Sequence, residues 1–245
     1  MLANFDELLQ NFEGDIEYQY SCRVEEFRKC ENCINLTNDS ESNKDIYRKM
    51  LVVMMYSYFE GFCKNVLMLY AHYISSLELK VGEVTSGLAA TSLEKDFNML
   101  ENSNHKPIEL KGELIENDGR LHRFSRRKEF VENNNLHINK TVNIPNETID
   151  VEDNLKSYVL KSLLYKLDID YTIVDPYQGI LNELLGKRNA IAHGDMVNGI
   201  ELIKYNDYKS KILQLMDAVK TAVLEAFKNE TFLNASNNST TGAIR

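Results

Sequence analysis

Residues 50–77 read MLVVMMYSYFEGFCKNVLMLYAHYISSL, and their apolar side chains would lie on most sides of a helix. A surface helix carries one apolar stripe, whereas a helix that is apolar all round is buried inside a protein. The richest apolar run, Met50–Phe59, is too short to cross a membrane and is followed by Glu60. The segment, extended back to Asp45, therefore predicts the central helix of the fold.

Apolar residues at helical spacing flank this central segment on both sides. Before it they are Phe5, Leu8, Leu9, Phe12, Ile16, Tyr20, Val24, Phe27 and Cys30. After it they are Leu155, Tyr158, Val159, Leu163 and Leu167, then Ile212, Leu215, Met216, Val219, Val223, Ala226 and Phe227. Because 43% of the residues are hydrophobic and only three are proline, the chain can bury a large core. The pattern predicts a mainly α protein with an up-and-down helical bundle.

The stretch Pro107–Pro145 lacks this regularity. Ile108–Lys111 alternates apolar and polar residues as a short β-strand does. We therefore expect one helical domain at residues 1–230, with an irregular insertion at about 78–150 that contains short β-strands. A polar, flexible tail is expected at 231–245, where asparagine, serine and threonine dominate.

The motif Arg188-Asn189-Ala190-Ile191-Ala192-His193 is the segment that carries candidate chemistry. Asp175 is a good helix N-cap, Pro176 suits the first helical position and Gly194 suits a helix stop, so a helix is predicted from Pro176 to His193. Helical rotation puts Arg188 near the middle of the apolar face of this helix. It places Asn189 and His193 together on the flank of that face.

A guanidinium on an apolar face is costly unless an anion or a hydrogen-bond acceptor meets it. Arg188 could reach the edge of the face, pair with a structural carboxylate, or hold an anionic ligand. His193 could supply a favourable charge at the end of a helix, or it could move a proton. The residues alone leave these alternatives open.

Together with the preceding long helix and its segment Tyr56–Asn65, the motif resembles the HEPN superfamily of ribonucleases. More narrowly, it looks like the stand-alone HEPN proteins of prokaryotic toxin–antitoxin and antiphage defence systems. The resemblance covers roughly residues 1–77 and 150–230. It implies cleavage of RNA by a homodimeric endoribonuclease that uses neither metal nor cofactor. It also implies that Arg188 holds the scissile phosphate, that Asn189 orients the phosphate or the histidine, and that His193 acts as acid or base.

The helix geometry adds a prediction about assembly. Five residues of helix rotate by about 140°, so Arg188 and His193 of one chain do not share a face. Two motif helices that pack across a two-fold axis would bring the two side chains together, which predicts a composite site at a dimer cleft. Glu60, which interrupts the apolar central helix, is a candidate to pair with Arg188 or to support it. It could instead pair with Lys64 or lie partly exposed.

A basic cluster interrupts this otherwise acidic chain, whose net charge is −9. Its cations alternate with apolar residues and are Arg120, Arg123, Arg126, Arg127 and Lys128. Binding to a phosphate backbone relies on clustered arginine and lysine, so these five residues are candidates to bind RNA. A solvated surface of the insertion is the alternative.

Other kinds of site are disfavoured. Cys30 and Cys33 form a single CxxC without the second pair of a zinc ribbon, so reduced thiols are expected and no metal site is predicted. Asp168, Asp170 and Asp175 fit helix caps better than a two-metal site. The N-terminus does not resemble a signal peptide, and we expect a cytoplasmic protein.

The resemblance therefore implies an endoribonuclease whose partners are RNA, a second copy of the chain, and an antitoxin or another defence protein. The alternative is a non-catalytic module of the same fold that binds a protein partner or a nucleotide. Loss of RNA cleavage on substitution of Arg188 or His193 would separate the two.

Overall fold

The computed structural model describes residues 2–104, 118–151, 154–195 and 198–234. Within these ranges the chain forms nine α-helices: α1 (Leu2–Asn35), α2 (Glu41–Ser76), α3 (Ser86–Ser92), α4 (Glu94–Glu101), α5 (Gly119–Glu132), α6 (Asn134–Ile138), α7 (Ser157–Lys166), α8 (Gln178–Ala192) and α9 (Leu202–Lys228). Short 3₁₀ turns occupy Val81–Glu83, Asn146–Thr148 and Tyr171–Tyr177. The prediction of a mainly α protein is confirmed.

The chain divides into two compact units. The first comprises Met1–Tyr73 and Asn146–Thr231, and it holds α1, most of α2, and α7 to α9. The second comprises Ile74–Pro145 and the end of the chain from Phe232, and it holds α3 to α6.

α2 provides the core of the first unit, as its apolar sequence predicts. Its wholly buried side chains include Val52, Tyr56, Phe59, Phe62, Val66 and Tyr70. Phe12 of α1 packs against this helix and against α9, since its ring centroid lies 5.0 Å from that of Tyr73 and 4.4 Å from that of Phe227. Burial of one large apolar side chain contributes about 1.5–3 kcal/mol, so this aromatic cluster is a main source of stability.

The second unit is helical where the sequence predicts an irregular insertion with β-strands. In its described part, extended pairing is limited to two isolated bridges, Lys80 with Thr141 and Val84 with Leu233. The strand predicted at Ile108–Lys111 lies outside the described residues. The prediction missed α5 because the buried side of this helix carries His122, Ser125 and Arg126, so it lacks an apolar stripe.

The start of the expected tail is packed. Phe232 is buried, and its carbonyl accepts the N–H of Thr85 at 2.9 Å. Residues 235–245 lie outside the described residues. None of the described helices combines the length and the apolar character that a membrane span needs.

Candidate active site

α8 carries the motif and begins later than predicted. The residues before it, Tyr171–Tyr177, form a 3₁₀ turn that contains Pro176. Asp175 is therefore not the N-cap of α8, and it pairs instead with Lys161 of α7. The predicted start of α8 at Pro176 is therefore two residues too early. The sequence pattern is misleading here because the fixed φ of proline suits a 3₁₀ turn as well as the first position of an α-helix.

α8 ends where the glycine predicts. Gly194 has a φ of +78°, the left-handed conformation that glycine adopts without steric cost. Its N–H donates to the carbonyl of Ile191 at 3.1 Å, and the N–H of Asp195 donates to that of Ala190 at 2.9 Å, which together form a Schellman motif. His193 is the C-cap, and its side chain is exposed. The imidazole therefore lies at the negative end of the helix dipole and is open to solvent.

Arg188 is half-buried and lies against an aromatic ring. Its Cζ lies 5.3 Å from the centroid of the Tyr56 ring on α2. Its Nη1 donates to the side-chain oxygens of Asn154, at 3.2 Å, and of Asn189, at 2.8 Å. No carboxylate among the described residues pairs with Arg188. Its positive charge is therefore oriented by a π-face and two amide oxygens but is not neutralised by them.

Glu60 supports this arrangement indirectly. The direct ion pair with Arg188 that the sequence suggests is not formed in the described part of the chain. Instead, Oε2 of Glu60 accepts the hydroxyl of Tyr56 at 2.9 Å and the N–H of Leu155 at 3.1 Å. Because Leu155 directly follows Asn154, one carboxylate holds both the ring beside the guanidinium and the segment that supplies an amide acceptor.

The Tyr56 hydroxyl is a permanent donor in this network. Burial raises its pKa far above the ordinary value of 10.0, and the negative charge of Glu60 and the hydrogen bond to it raise the pKa further. The opposing effect of the Arg188 charge is the smallest of these influences. Burial thus favours the protonated hydroxyl, which donates to Glu60.

The structure brings Arg188 and Asn189 together through their side chains, but His193 joins neither of them in this way. The N–H of His193 donates to the carbonyl of Asn189 at 2.9 Å, which is an ordinary helical hydrogen bond. Across the residues that the structure describes, the His193 ring has no hydrogen-bond partner. The imidazole is thus available to a group that comes from outside the chain.

Tyr56 and Asn154 are the two residues of this site that sequence reasoning missed. The i, i+4 pair of a tyrosine and a glutamate on an otherwise apolar helix is a signal that could have identified Tyr56. Asn154 has no comparable signal, because it lies outside a helix and its partner is 34 residues away.

A cleft of about 350 Å³ lies beside α8, lined by Lys187, Gly199, Ile200, Glu201, Lys204 and Tyr208. The cation of Lys204 is neutralised here, since its Nζ donates to Glu183 of α8 at 2.8 Å. The hydroxyl of Tyr208 donates to the same carboxylate at 2.8 Å. The hydrogen bond from Lys204 lowers the pKa of Glu183 below its ordinary value.

Residue 199, at the edge of this cleft, must be glycine because its backbone lies close to Asp45. A Cβ atom at this position would lie 2.4 Å from the Cβ of Asp45 near the start of α2. The N–H of Ile200 donates to the backbone carbonyl of Asp45 at 2.9 Å, and the carboxylate of Asp45 pairs with Arg48. The chain that follows the motif is thus anchored to α2.

The five basic candidates all lie on α5 in the second unit. Arg120, Arg123 and Arg127 are exposed, whereas Arg126 is buried. Lys128 pairs with Glu132 on the same helix at 3.4 Å. The structure therefore separates a cluster that is continuous in sequence into outward and inward cations.

Metal ligation finds no support in the described residues, which contain no group of histidine, cysteine and carboxylate side chains able to hold an ion. Cys30 and Cys33 of the CxxC are free thiols, as are Cys22 and Cys63. The Cys63 thiol is buried, and burial raises its pKa.

Comparison with known proteins identifies one family. No curated protein and no solved structure shows a significant match to the chain. The sequence model of the family RiboL-PSP-HEPN matches residues 18–225. This range includes the Arg188 motif, its support from α2, and α5. The chain therefore belongs to the RiboL-PSP-HEPN family of HEPN domains.

Proposed function

We propose that the protein is a metal-independent endoribonuclease that cleaves RNA at a dimer cleft built from Arg188, Asn189 and His193. The observation that carries the proposal is the environment of Arg188. Tyr56, Asn154 and Asn189 fix the guanidinium, yet they leave its charge available to an anion. HEPN domains are commonly ribonucleases, which supports the assignment.

RNA cleavage needs few groups from the protein, because the 2′-hydroxyl of the substrate is the nucleophile. A base removes the proton of the 2′-hydroxyl, the 2′-oxygen forms a bond to the adjacent phosphorus, and the bond from phosphorus to the 5′-oxygen breaks. An acid donates a proton to that leaving oxygen. His193 is the proton-transfer group of this reaction, and Arg188 stabilises the negative charge that develops on the phosphate oxygens.

The two-fold arrangement answers a geometric problem. Arg188 is held on the side of α8 that faces α2, whereas His193 is exposed at the end of α8. A second copy whose motif helix packs against the first supplies the missing group to each site. Exposed apolar side chains at the start of α9 support such a contact. Leu202 and Ile203, which lie between the cleft-lining residues Glu201 and Lys204, are 47% and 83% exposed.

We place this activity in a toxin–antitoxin or antiphage defence system in the cytoplasm. Uncontrolled cleavage of cellular RNA would stop growth, so the protein requires a partner that restrains it. An antitoxin or another defence protein that covers the exposed His193 would supply that restraint.

The proposal is tested with purified wild-type protein and the variants Arg188→Ala and His193→Ala on labelled cellular RNA in the presence of excess EDTA. Wild type is expected to cleave, and each variant is expected to lose activity about 10²–10³-fold or more while it retains its helical content. Induced expression of wild type should stop bacterial growth, and expression of either variant should not.

Arg28→Ala and His72→Ala are the matched controls, because both residues are exposed on helices of the first unit. Both controls should cleave as wild type does. If wild type cleaves no RNA, or if the motif variants cleave as well as the controls, the endoribonuclease assignment is wrong. The non-catalytic binding module is then the better description.

A further inference from the structure

α5 presents a cationic and aromatic stripe to solvent. Asp118 starts the helix, since its carboxylate accepts the N–H groups of Arg120 at 2.9 Å and of Leu121 at 3.2 Å. Counted at 100° per residue, Arg120, Arg123, Phe124, Arg127 and Val131 fall within one arc of about 100°. All five are exposed, with 65% of Phe124 and 70% of Val131 accessible. We call these five residues the α5 stripe.

The opposite side of α5 packs into the second unit. His122, Ser125 and Arg126 are buried there, and Nε of Arg126 donates to the carbonyl of Leu100 on α4 at 2.9 Å. Phe130, between the two sides, stacks on Phe97 and on His137 with ring centroids 5.5 Å and 4.7 Å away. These contacts fix the rotation of α5, so the exposure of the α5 stripe is a property of the packed helix.

The charge of the α5 stripe is unusual in this protein. The chain has a net charge of −9, yet three arginines project from about 10 Å of one helix. Among the residues that the structure describes, none of Arg120, Arg123 and Arg127 pairs with a carboxylate. Three like charges this close repel one another, and an anionic partner relieves that repulsion.

We propose that the α5 stripe binds single-stranded RNA. This proposal rests on the proposed function, because it makes the stripe a second binding site for the same substrate. The three guanidinium groups bind phosphates, and Phe124 stacks on an unpaired base. An exposed aromatic ring between arginines fits unpaired RNA because the bases of a duplex are already stacked on one another. Arg126 is buried and Lys128 pairs with Glu132, so the proposal rests on three cations and one ring of the basic cluster.

The test measures binding of fluorescent single-stranded RNA by anisotropy at several salt concentrations, with His193→Ala as the background so that the probe is not cut. The variant Arg120→Gln/Arg123→Gln/Arg127→Gln is expected to bind at least about tenfold more weakly. Its dependence of log affinity on log salt should be less steep by about 2, the change expected for three lost phosphate contacts on a single strand.

A matched control separates the stripe from overall charge. Arg28→Gln/Lys95→Gln/Lys211→Gln removes three exposed cations from three other helices and lowers the net charge by the same amount. This control should bind as the background does. Equal binding by the stripe variant and the control overturns the proposal, as does an absence of measurable binding by the background protein.

Phe124 gives an independent test of stacking. Phe124→Leu keeps an apolar side chain but removes the ring, and it is expected to weaken RNA binding about fivefold or more, whereas Phe124→Trp should bind as tightly as Phe124. If leucine and tryptophan bind RNA equally well, the ring does not stack on a base and the proposal is wrong. Such a stripe would then fit an acidic protein partner better.

Failure of this inference is distinguishable from failure of the proposed function. The stripe variants with an intact His193 should show a raised KM for long RNA and an unchanged kcat, because they leave the motif untouched. Loss of cleavage in Arg188→Ala tests the active site alone. If the protein cleaves RNA through the motif but binds it equally well without the α5 stripe, only the proposal of RNA binding by the stripe is refuted.

Discussion

Two arginines of the first unit, Arg48 on α2 and Arg188 on α8, have opposite surroundings. Arg48 is 5% exposed and is met by carboxylates, Asp45 one turn before it and Glu41 at the start of the helix. Arg188 is half-buried and is met by the Tyr56 ring and two amide oxygens. Both guanidinium groups are held in place, but only the first has its charge cancelled within the described structure. Arg48 therefore has the surroundings of an arginine that stabilises the fold, whereas the surroundings of Arg188 fit the anion-binding role that we propose for it.

The largest effects are expected when each of these two arginines is replaced by alanine. Arg188→Ala should reduce RNA cleavage about 10²–10³-fold and lower the free energy of unfolding by no more than about 1–2 kcal/mol, because it removes the contact with the Tyr56 ring but leaves no carboxylate without a partner. Arg48→Ala should lower the free energy of unfolding by about 1–3 kcal/mol, because it strips Asp45 of its charged partner, and should leave the cleavage rate of the folded protein unchanged. Cleavage assays and urea denaturation of both variants check this. A strongly destabilised Arg188→Ala would show that its role is structural.

Mixing the two motif variants tests whether Arg188 acts across the proposed dimer. In a mixed dimer of Arg188→Ala and His193→Ala, one composite site loses both groups and the other regains both. Random exchange of subunits should therefore restore about a quarter of wild-type cleavage. The measurement is the cleavage rate of the equimolar mixture after incubation that allows exchange. A mixture as inactive as its components would place both residues in a site formed by one chain.

A smaller effect is expected when the ring beside Arg188 is changed. Tyr56→Leu removes the π-face and should reduce kcat about tenfold, since a partly desolvated cation–π contact contributes about 1–2 kcal/mol. Tyr56→Phe keeps the ring and loses the hydrogen bond to Glu60, so it should reduce kcat only about two- to threefold. Single-turnover cleavage rates at saturating RNA compare the two. Equal rates for leucine and phenylalanine would show that the ring does not orient the guanidinium.

The smallest effect concerns Lys204, whose charge, like that of Arg48, is balanced by a carboxylate. Its hydrogen bond lowers the folded-state pKa of Glu183 below the ordinary 4.5, so this contact stabilises the fold above that pH and is lost as the pH falls through the lowered pKa. Glu183 is 42% exposed, which limits the contribution to a few tenths of a kcal/mol. Denaturation at pH 7 and pH 3 should show a slightly weaker pH dependence for Glu183→Gln than for wild type. An identical pH dependence would contradict the lowered pKa.

The helical fold and the position of the motif are predictable from the sequence because both depend on local patterns. α2 is apolar on most of its sides, and Gly194 ends α8 through its own backbone conformation. The start of α8 is less predictable, since Pro176 is compatible with two kinds of helix. α5 escapes prediction for a different reason: its buried side is polar, so hydrophobic periodicity does not show it.

The surroundings of Arg188 could not be derived in the same way. Helical periodicity predicts that Arg188 lies on an apolar face. A guanidinium in that position needs a hydrogen-bonding or anionic partner, so this need is also predictable. Which groups meet it depends on contacts of Asn154 and Tyr56 with α8 that no local pattern encodes. Glu60 is identifiable as a candidate because a carboxylate interrupts an apolar helix, but its action through Tyr56 and Leu155 becomes visible only when the helices are packed.

The tight approach of Gly199 to Asp45 has a consequence for genetics. Even alanine at this position would force apart the start of α2 and the chain that follows the motif. A selection for variants that have lost cleavage should therefore return many different substitutions at residue 199 alongside those at Arg188 and His193. A mutational map would assign residue 199 to the chemistry, although its importance comes from the space that a missing methyl group leaves.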